Sequence, residues 1–270
     1  MVPLEKYGKL IFQLLMGLNK YPIYIISKGR YEKPLTALLF EKYNIDYLIA
    51  VEPQEYELYC NSLGKHRVLK LPFSNLGLGS YPARNYCWEH SKANNHKYHW
   101  LFDDNIKSWH KWENKKRIAL DNINRALVFV ENYTDKNNID LNGFERKTFS
   151  VTVPKKPFRL NSHVYSTLLI RNSLPYRWRL KYNEDIDLCL QVLHNGGSTA
   201  NCIYFLAEKV ATSQKMKGGN QDELYKGNDP KKNLLKAKML EAVWPQYTKT
   251  VIRFNRHHHL INWKVFKIKK

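Results

Sequence analysis

The sequence is short of acid. Asp and Glu number 24 against 44 Lys and Arg, leaving a formal charge of +20. That balance disfavours cationic partners and favours a polyanion such as nucleic acid or a membrane surface. Cysteine is also scarce: Cys60, Cys87, Cys189 and Cys202 lie far apart, with no C-x-x-C pair and no metal-ligand spacing. This excludes a disulfide framework or a zinc module and reads as free thiols in a reducing compartment. With 12 Gly and 11 Pro, collagen-like or linker-dominated architectures are excluded. No apolar run reaches the ~18–20 residues needed to cross a bilayer. Leu10–Leu18, following Lys6 and Lys9, has the length of a signal-peptide core but no small-residue cleavage site after it. It reads as a short helix or a peripheral hydrophobic flap.

What is present suits a globular protein. A chain of 270 residues makes one large domain or two small ones and buries roughly three-quarters of its unfolded surface. AT-rich coding would enrich Lys, but it would enrich Glu as well, and 32 Lys accompany only 14 Glu. The charge is also unevenly placed. Residues 145–182 carry nine basic side chains against one acidic, and residues 209–270 carry fifteen against four. Between them, residues 183–208 carry four acids and no Lys or Arg. Acidic islands at Asp103-Asp104 and Glu184-Asp185-Ile186-Asp187 thus interrupt a basic chain. Gathered carboxylates are costly unless they hold a cation or perform chemistry.

The first hundred residues alternate strand and helix. Pro22–Ser27, Ile45–Val51, His66–Leu71 and Tyr98–Asp103 read as short buried strands. Helical spacing falls at 33–43, from Pro53 to Ser62, and from Ala83 to Lys92. Such alternation predicts βαβ units and a mainly parallel sheet. Ligands bind beyond the carboxyl ends of such strands, which here carry Ser27-Lys28-Gly29-Arg30, Glu52, and Asp103-Asp104-Asn105. In the second half, helices are expected at 118–133, 185–194 and 231–242. Strands are expected at Thr148–Val153, Val164–Ile170 and Ala200–Leu206, with an extended basic tail from Thr250.

Several motifs carry chemistry. Leu101-Phe-Asp-Asp-Asn-Ile106 ends a hydrophobic strand in hard oxygen ligands, suited to Mg²⁺ or Mn²⁺ rather than Zn²⁺. A helix cap needs only one such side chain. Glu184 and Asp185 sit at a strand-to-helix junction, where a carboxylate serves equally as general base or as helix cap. Gly77–Asn85 feeds a helix N-terminus with Arg84 close by, and Lys215-Met-Lys217-Gly-Gly-Asn220 is a glycine hinge bearing two cations. Trp109 and Trp112, interleaved with Lys111, Lys115, Lys116 and Arg117, have a composition suited to stacking on bases, whereas Trp100 reads as core. His257, His258 and His259 tempt a zinc assignment, but neighbours on an extended segment point to opposite faces. One of them is at most a nucleic-acid contact.

The order of Ser27–Arg30, Val51-Glu52-Pro53, Ala83-Arg84-Asn85, Phe102–Ile106, Asn183–Asp187 and Gly218-Gly219-Asn220 resembles GT-A glycosyltransferases. Within them it resembles the bacteriophage type called TET-associated glycosyltransferases, over roughly residues 21–225. The resemblance implies an α/β, Rossmann-like fold in a single domain, with a mixed, mainly parallel central sheet flanked by helices. Residues 21–106 would form the nucleotide-sugar half, 107–225 the acceptor and catalytic half, and 226–270 a basic C-terminal helix and tail.

It further implies a UDP-sugar donor of the glucose or arabinose class, an Mn²⁺ or Mg²⁺ ion, and transfer to 5-hydroxymethylcytosine in double-stranded phage DNA. By motif matching, Asp185 would be the base with Glu184 beside it. Ser27, Lys28, Arg30, Glu52, Arg84, Asn85, Asp103, Lys215 and Lys217 would bind the donor. Asp104, Asp103 and Asn105 would hold the metal, although the neutral Asn105 departs from the usual D-x-D. A base on the far side of the donor from the leaving group implies inversion. No membrane partner is expected, and the place of action is the cytoplasm, that of the infected host for a phage enzyme. The competing readings are the same enzyme class acting on a surface glycan or lipid, and a catalytically idle nucleic-acid-binding protein on the same frame.

Overall fold

The computed structural model describes residues 19–210, 216–219 and 230–267. The Leu10–Leu18 stretch and Lys215 lie outside the described residues. Strand β1 (Ile23–Ile26) follows from its sequence: Ile-Tyr-Ile-Ile is apolar throughout because both faces of the sheet are covered at this central strand. β2 (Leu48–Val51) and β3 (Val68–Lys70) extend the sheet to one side, in parallel. They are reached through helices α1 (Leu35–Lys42) and α2 (Tyr56–Leu63). After α3 (Tyr81–Ala93) the chain returns to the other edge of β1 as β4 (Tyr98–Asp103), again parallel. The strand order therefore reverses between β1 and β4, and the crevice that opens at such a switch point is where open α/β sheets bind ligands.

Beyond β4 the sheet becomes mixed. β5 (Ile106–Glu113) and β6 (Lys116–Ala119) form a hairpin before helix α4 (Ile123–Asn137). They are followed by β7 (Leu141–Arg146), the short β8 (Phe158–Leu160), β9 (Thr167–Arg171), helix α5 (Glu184–His194) and β10 (Ala200–Lys209). The order is β3-β2-β1-β4-β9-β7-β10-β5-β6, with β8 on β10, in one continuous sheet and a single domain. β9 is antiparallel to both neighbours, while β10 runs parallel to β7. Helix α6 (Pro230–Val243) leads to a separate hairpin, β11 (Thr248–Arg253) and β12 (Arg256–Ile261).

Side-chain alternation divides the core into two layers. Ile23, Ile25, Trp100 and Phe102 face α1 and α4, through Phe40, Ala126, Leu127 and Val130. Tyr24, Leu101, Leu168 and Ile170 face α3 and α5, through Cys87, Trp88, Leu188 and Val192. The expected α/β fold is thus present, with differences in the second half. Thr148–Val153 is an exposed loop rather than a strand, and the strand expected from Val164 starts at Thr167, after Ser166 with φ +62°. The helix expected at 118–133 begins at Ile123, because 116–119 is spent on β6. Trp109 is buried in the core and Trp112 is buried with its Nε1 donating to Ser150 Oγ, so the two do not form a base-stacking surface.

Gly143 in β7 stands opposite Leu168 of β9, where the strands approach closely. A Cβ there would lie 2.0 Å from the Thr167 carbonyl oxygen and 2.4 Å from Val164 Cγ1. Gly143→Ala is expected to cost about 1–3 kcal/mol through overpacking, lowering Tm by roughly 3–10 °C in a domain of this size. Differential scanning fluorimetry measures this, and an unchanged Tm would show that the two strands separate freely.

Candidate active site

At the switch point, the carboxyl ends of β1, β4 and β10 meet the start of β9 and the first turns of α3 and α5. They enclose a cavity of about 480 Å³, lined by Arg30, Arg84, Asp103, Asp104, Glu184 and Asp185 among others. A second cavity of about 480 Å³ adjoins it, sharing Lys28 and Gly219, with Glu55, Asn75 and Gly77 on its wall. The two acidic islands, some eighty residues apart in sequence, therefore face one space.

Asp104 is 4% exposed. It accepts a hydrogen bond from Ser27 Oγ (2.6 Å) and is ion-paired with Arg30. Burial raises its carboxyl above the usual range, and Asp103 nearby adds to this against the opposing pull of Arg30 and Ser27. Arg30 also donates to the carbonyls of Lys217 and Gly218, both at 3.0 Å. This pins the segment 216–219 across the end of β1. Gly218 is required there: with φ +79°, a Cβ would fall 2.4 Å from the Gly29 carbonyl oxygen.

Asp103 is paired with Lys209 at the end of β10 and with Arg84 Nη2 at 2.9 Å. Burial opposes its ionisation, but Lys209, Arg84 and a hydrogen bond from Ser166 outweigh it and hold the carboxyl far below its ordinary range. Arg84 is 3% exposed and stacks over Trp178, 4.7 Å from the ring centroid. It lies 3.5 Å from Glu184 and 3.6 Å from Asp185. Burial disfavours its charge, yet the three carboxylates around it raise its pKa further.

Glu184 and Asp185 open α5 after Asn183 in the left-handed conformation (φ 57°). Glu184 accepts from Ser80 Oγ at 2.9 Å, and Asp185 Oδ2 accepts from the Ser166 amide at 3.2 Å. Burial pushes Asp185 up to about 7, assisted by the charges of Glu184 and Asp103 and opposed by Arg84 and Lys209. Four buried polar atoms of residues lining this cavity make no hydrogen bond among the described residues: Asn105 Oδ1, Arg146 Nε, and Arg84 Nη1 with Asp185 Oδ1, which face each other as an ion pair at 3.6 Å. Asn105 Oδ1 and Arg146 Nε are thus the buried polar atoms there that a ligand's polar atoms could still meet.

The remaining expected site residues divide. Lys28 bridges Glu52 (3.2 Å) and Asn75 (3.1 Å), so Lys28 and Glu52 stand together at the rim of the cavities. Burial disfavours charge on Glu52, but hydrogen bonds from Gln54, the Asn75 amide and Lys28 bring its pKa below the usual value. Lys217 contributes its carbonyl to Arg30 while its side chain is exposed. Asn85 is a correction. Its amide donates to the Trp178 carbonyl (2.8 Å) and accepts from the Trp178 amide (3.0 Å), which commits the side chain to holding α3 against the 174–182 loop.

The metal set is a second correction. Both expected carboxylates are neutralised by side-chain cations, and Asn105 donates its amide to the Val210 carbonyl, which leaves only its Oδ1. A divalent ion does not fit this donor set without expelling Arg30 or Lys209. Among the described residues no three His, Cys, Asp or Glu side chains converge as a metal site. Sequence reasoning missed Lys209, Ser80 and Ser166. Lys209 was within reach, since extending the Ala200–Leu206 strand by three residues places a cation at its carboxyl end.

Compared with known proteins, the chain falls among glycosyltransferases. The family model of the TET-associated glycosyltransferases matches residues 21–219, and the chain belongs to that family. No curated protein sequence matches it. Among solved structures, a protein from Desulfovibrio desulfuricans G20, provisionally described as a nucleotide-diphospho-sugar transferase, is similar over 67% of this chain and 78% of its own. Identity is 10% and the TM-score 0.38, a likeness too slight to argue from.

The elevated Asp185 has a consequence for stability. Its folded carboxyl stays protonated up to about pH 7, whereas the unfolded one ionises in the ordinary carboxylate range. Stability from this group is complete below that range and is lost as pH rises through about 7. Asp185→Asn removes the loss, so the variant's Tm advantage over the wild type should grow between about pH 5 and pH 8. A pH-independent difference in thermal melts would contradict the burial of this carboxyl.

Proposed function

We propose that this glycosyltransferase moves a sugar of the glucose or arabinose class from a UDP-sugar to the hydroxyl of 5-hydroxymethylcytosine in DNA, with inversion. The observation that carries the reading is the shared cavity, lined by a protonatable Asp185, ion-paired with Arg84 at 3.6 Å, together with Lys209 and Arg30. Group transfer from a nucleoside diphosphate needs both elements: a base for the incoming hydroxyl and positive charge for the departing diphosphate.

In this reading the nucleoside occupies the cavity bounded by Lys28 and Asn75, with Glu52 at its edge. Arg30, Arg84 and Lys209 exchange part of their carboxylate pairing for diphosphate oxygens. The hydroxymethyl oxygen attacks the anomeric carbon, and the bond from that carbon to the β-phosphate oxygen breaks. UDP departs with the bonding pair, and the hydroxyl proton passes to Asp185. Glu184, held by Ser80, keeps a negative field beside that base. A carboxyl titrating near neutrality suits a general base. The DNA acceptor is supported by the +20 charge and by membership in a family whose acceptors, by the resemblance stated above, are hydroxymethylated pyrimidines.

Mass spectrometry of nucleosides after incubating hydroxymethylated DNA with a panel of UDP-sugars tests the reaction. A single sugar-mass adduct on 5-hydroxymethylcytosine is expected. Transfer to a glycan or lipid acceptor alone, with no steeply salt-dependent DNA binding, would replace the DNA reading. Asp185→Asn should lower kcat by about 10²–10⁴-fold with UDP affinity retained. The wild-type rate should climb with pH and level off above about 7. Lys209→Met should weaken UDP binding about 10- to 100-fold, as expected for one charged hydrogen bond. By calorimetry, wild-type UDP binding should persist in excess EDTA; its loss there would return the diphosphate to a metal ion.

A further inference from the structure

The hairpin β11–β12 follows α6 and packs at its base on α5. Tyr247, Ile261, Trp263 and Phe266 at its base pack against Ile186 and Leu190 of α5 and against Leu240 and Trp244. Glu184 and Asp185 form the first turn of that same α5. Halfway along the ribbon, His259, paired with Thr250, lines the active-site cavity. From that level the two strands continue for roughly 13 Å to the turn, at about 3.3 Å per residue, and residues 252–256 are all exposed.

The far end of the ribbon is built against its own interest. Phe254 is 92% exposed and Ile252 69% exposed, so the apolar tip packs on almost nothing. Phe254 and Asn255 form the turn with φ values of 51° and 56°. In such a turn Asn and Gly are at home and a bulky aromatic is an outlier. Arg253 and Arg256 stand directly opposite each other, a like-charged cross-strand pair that repels. Each of these features is unfavourable in water. All become favourable against a partner that is anionic outside and apolar within, such as a base-paired nucleic acid.

A hydroxymethylated base inside a duplex cannot reach a cavity floored by Asp103 and Asp104 unless it leaves the stack. We infer that the 248–261 hairpin is the duplex-opening element of the enzyme: Arg253 and Arg256 hold backbone phosphates while Phe254 wedges between base steps, so that the neighbouring nucleotide swings into the cavity beside Asp185. This assignment rests on the DNA-acceptor reading above. Inserted apolar side chains that unstack a base step are a general means of distorting DNA, and the connection through His259 to the cavity distinguishes this tip from a merely sticky loop.

Phe254→Ala, Phe254→Trp and the Arg253→Ala/Arg256→Ala double variant, all in the full chain, test it. The substrates are one 5-hydroxymethylcytosine oligonucleotide as a perfect duplex, as a single strand, and as a duplex mismatched at the modified base. Phe254→Ala should lower kcat/KM on the perfect duplex at least about tenfold, an unstacked step costing a few kcal/mol, and leave the other two substrates within about twofold. Phe254→Trp should restore the duplex rate. The double Arg variant should flatten the slope of log binding against log salt by about 2.

Independently of any sugar donor, 2-aminopurine next to the modified base should brighten on binding wild type and not on binding Phe254→Ala. Equal loss on duplex and single strand, no loss on the duplex, or identical 2-aminopurine signals would overturn the wedge. So would Phe254-dependent sedimentation with phosphatidylserine vesicles while duplex transfer is unaffected. If wild type transfers sugar to none of the oligonucleotides, the acceptor reading fails, and the 2-aminopurine comparison still decides whether the hairpin opens duplexes.

Discussion

Buried charge at the switch point governs the rest of this structure. Four carboxylates, Asp103, Asp104, Glu184 and Asp185, are withdrawn from water in one small region, together with Arg30, Arg84 and Lys209. None could be buried alone, because an unpaired charge in a low-dielectric interior is prohibitively costly. Each is tolerable only while its partners are in place, and the partners come from separate elements. Arg30 follows β1, Arg84 belongs to α3, Lys209 ends β10, and Ser166 precedes β9. The ion pairs thus fix the register of the sheet against its helices as surely as the apolar layers do. The same lattice leaves the site electrostatically prepared for an anionic ligand, since its cations already point inward.

Burial of a carboxylate does not by itself make a site, and two others in the chain show the difference. Asp187 is fully buried, but both its oxygens are used, by Arg179, Gln191 (2.9 Å) and Trp244 (2.7 Å). Glu131 accepts from the Lys20 amide and from Trp100 Nε1, both at 2.8 Å. These acids tie helices to their neighbours and keep nothing in reserve. Asp185, two residues from Asp187 but turned about 200° around the helix axis, lines the cavity, its Oδ1 without a hydrogen bond and 3.6 Å from Arg84 Nη1. One acidic run in the sequence therefore has two settings, one inside the packing and one on the cavity wall, separated by helical geometry.

The legible parts of the fold were those whose signal is local. β1, β2 and β4 are apolar runs bounded by turns because parallel strands are covered on both faces, and their polar ends pointed correctly to the crevice. β5 was not legible. Its buried positions, Ile106, Trp109 and Trp112, fall three apart and break the two-residue period of a strand, and tryptophan between cations looks the same whether it faces a base or a core. The carboxylates of Asp103 and Asp104 were legible, but their neutralisation was not. Arg30 and Lys209 lie 74 and 106 residues from their partners, so a local reading saw ligands for a metal where the fold supplies organic cations. Asn85 failed for the converse reason, since its partner Trp178 lies 93 residues away.

The formal +20 divides along the same line. Inside the cavity the cations are matched by acids, so Asp185 experiences a nearly balanced local field in which burial dominates its proton affinity. Outside, the excess is unmatched: Arg253 and Arg256 face each other on the hairpin, and exposed Lys155 and Lys156 follow the loop bearing Phe149, which itself reaches the cavity. A long-range positive potential and a basic carboxylate are incompatible at a single point, because the first would acidify the second. Separating them by a shell of internal ion pairs removes the conflict. In the proposed reaction, the basic surface can then attract the DNA without suppressing proton transfer from its hydroxyl to Asp185.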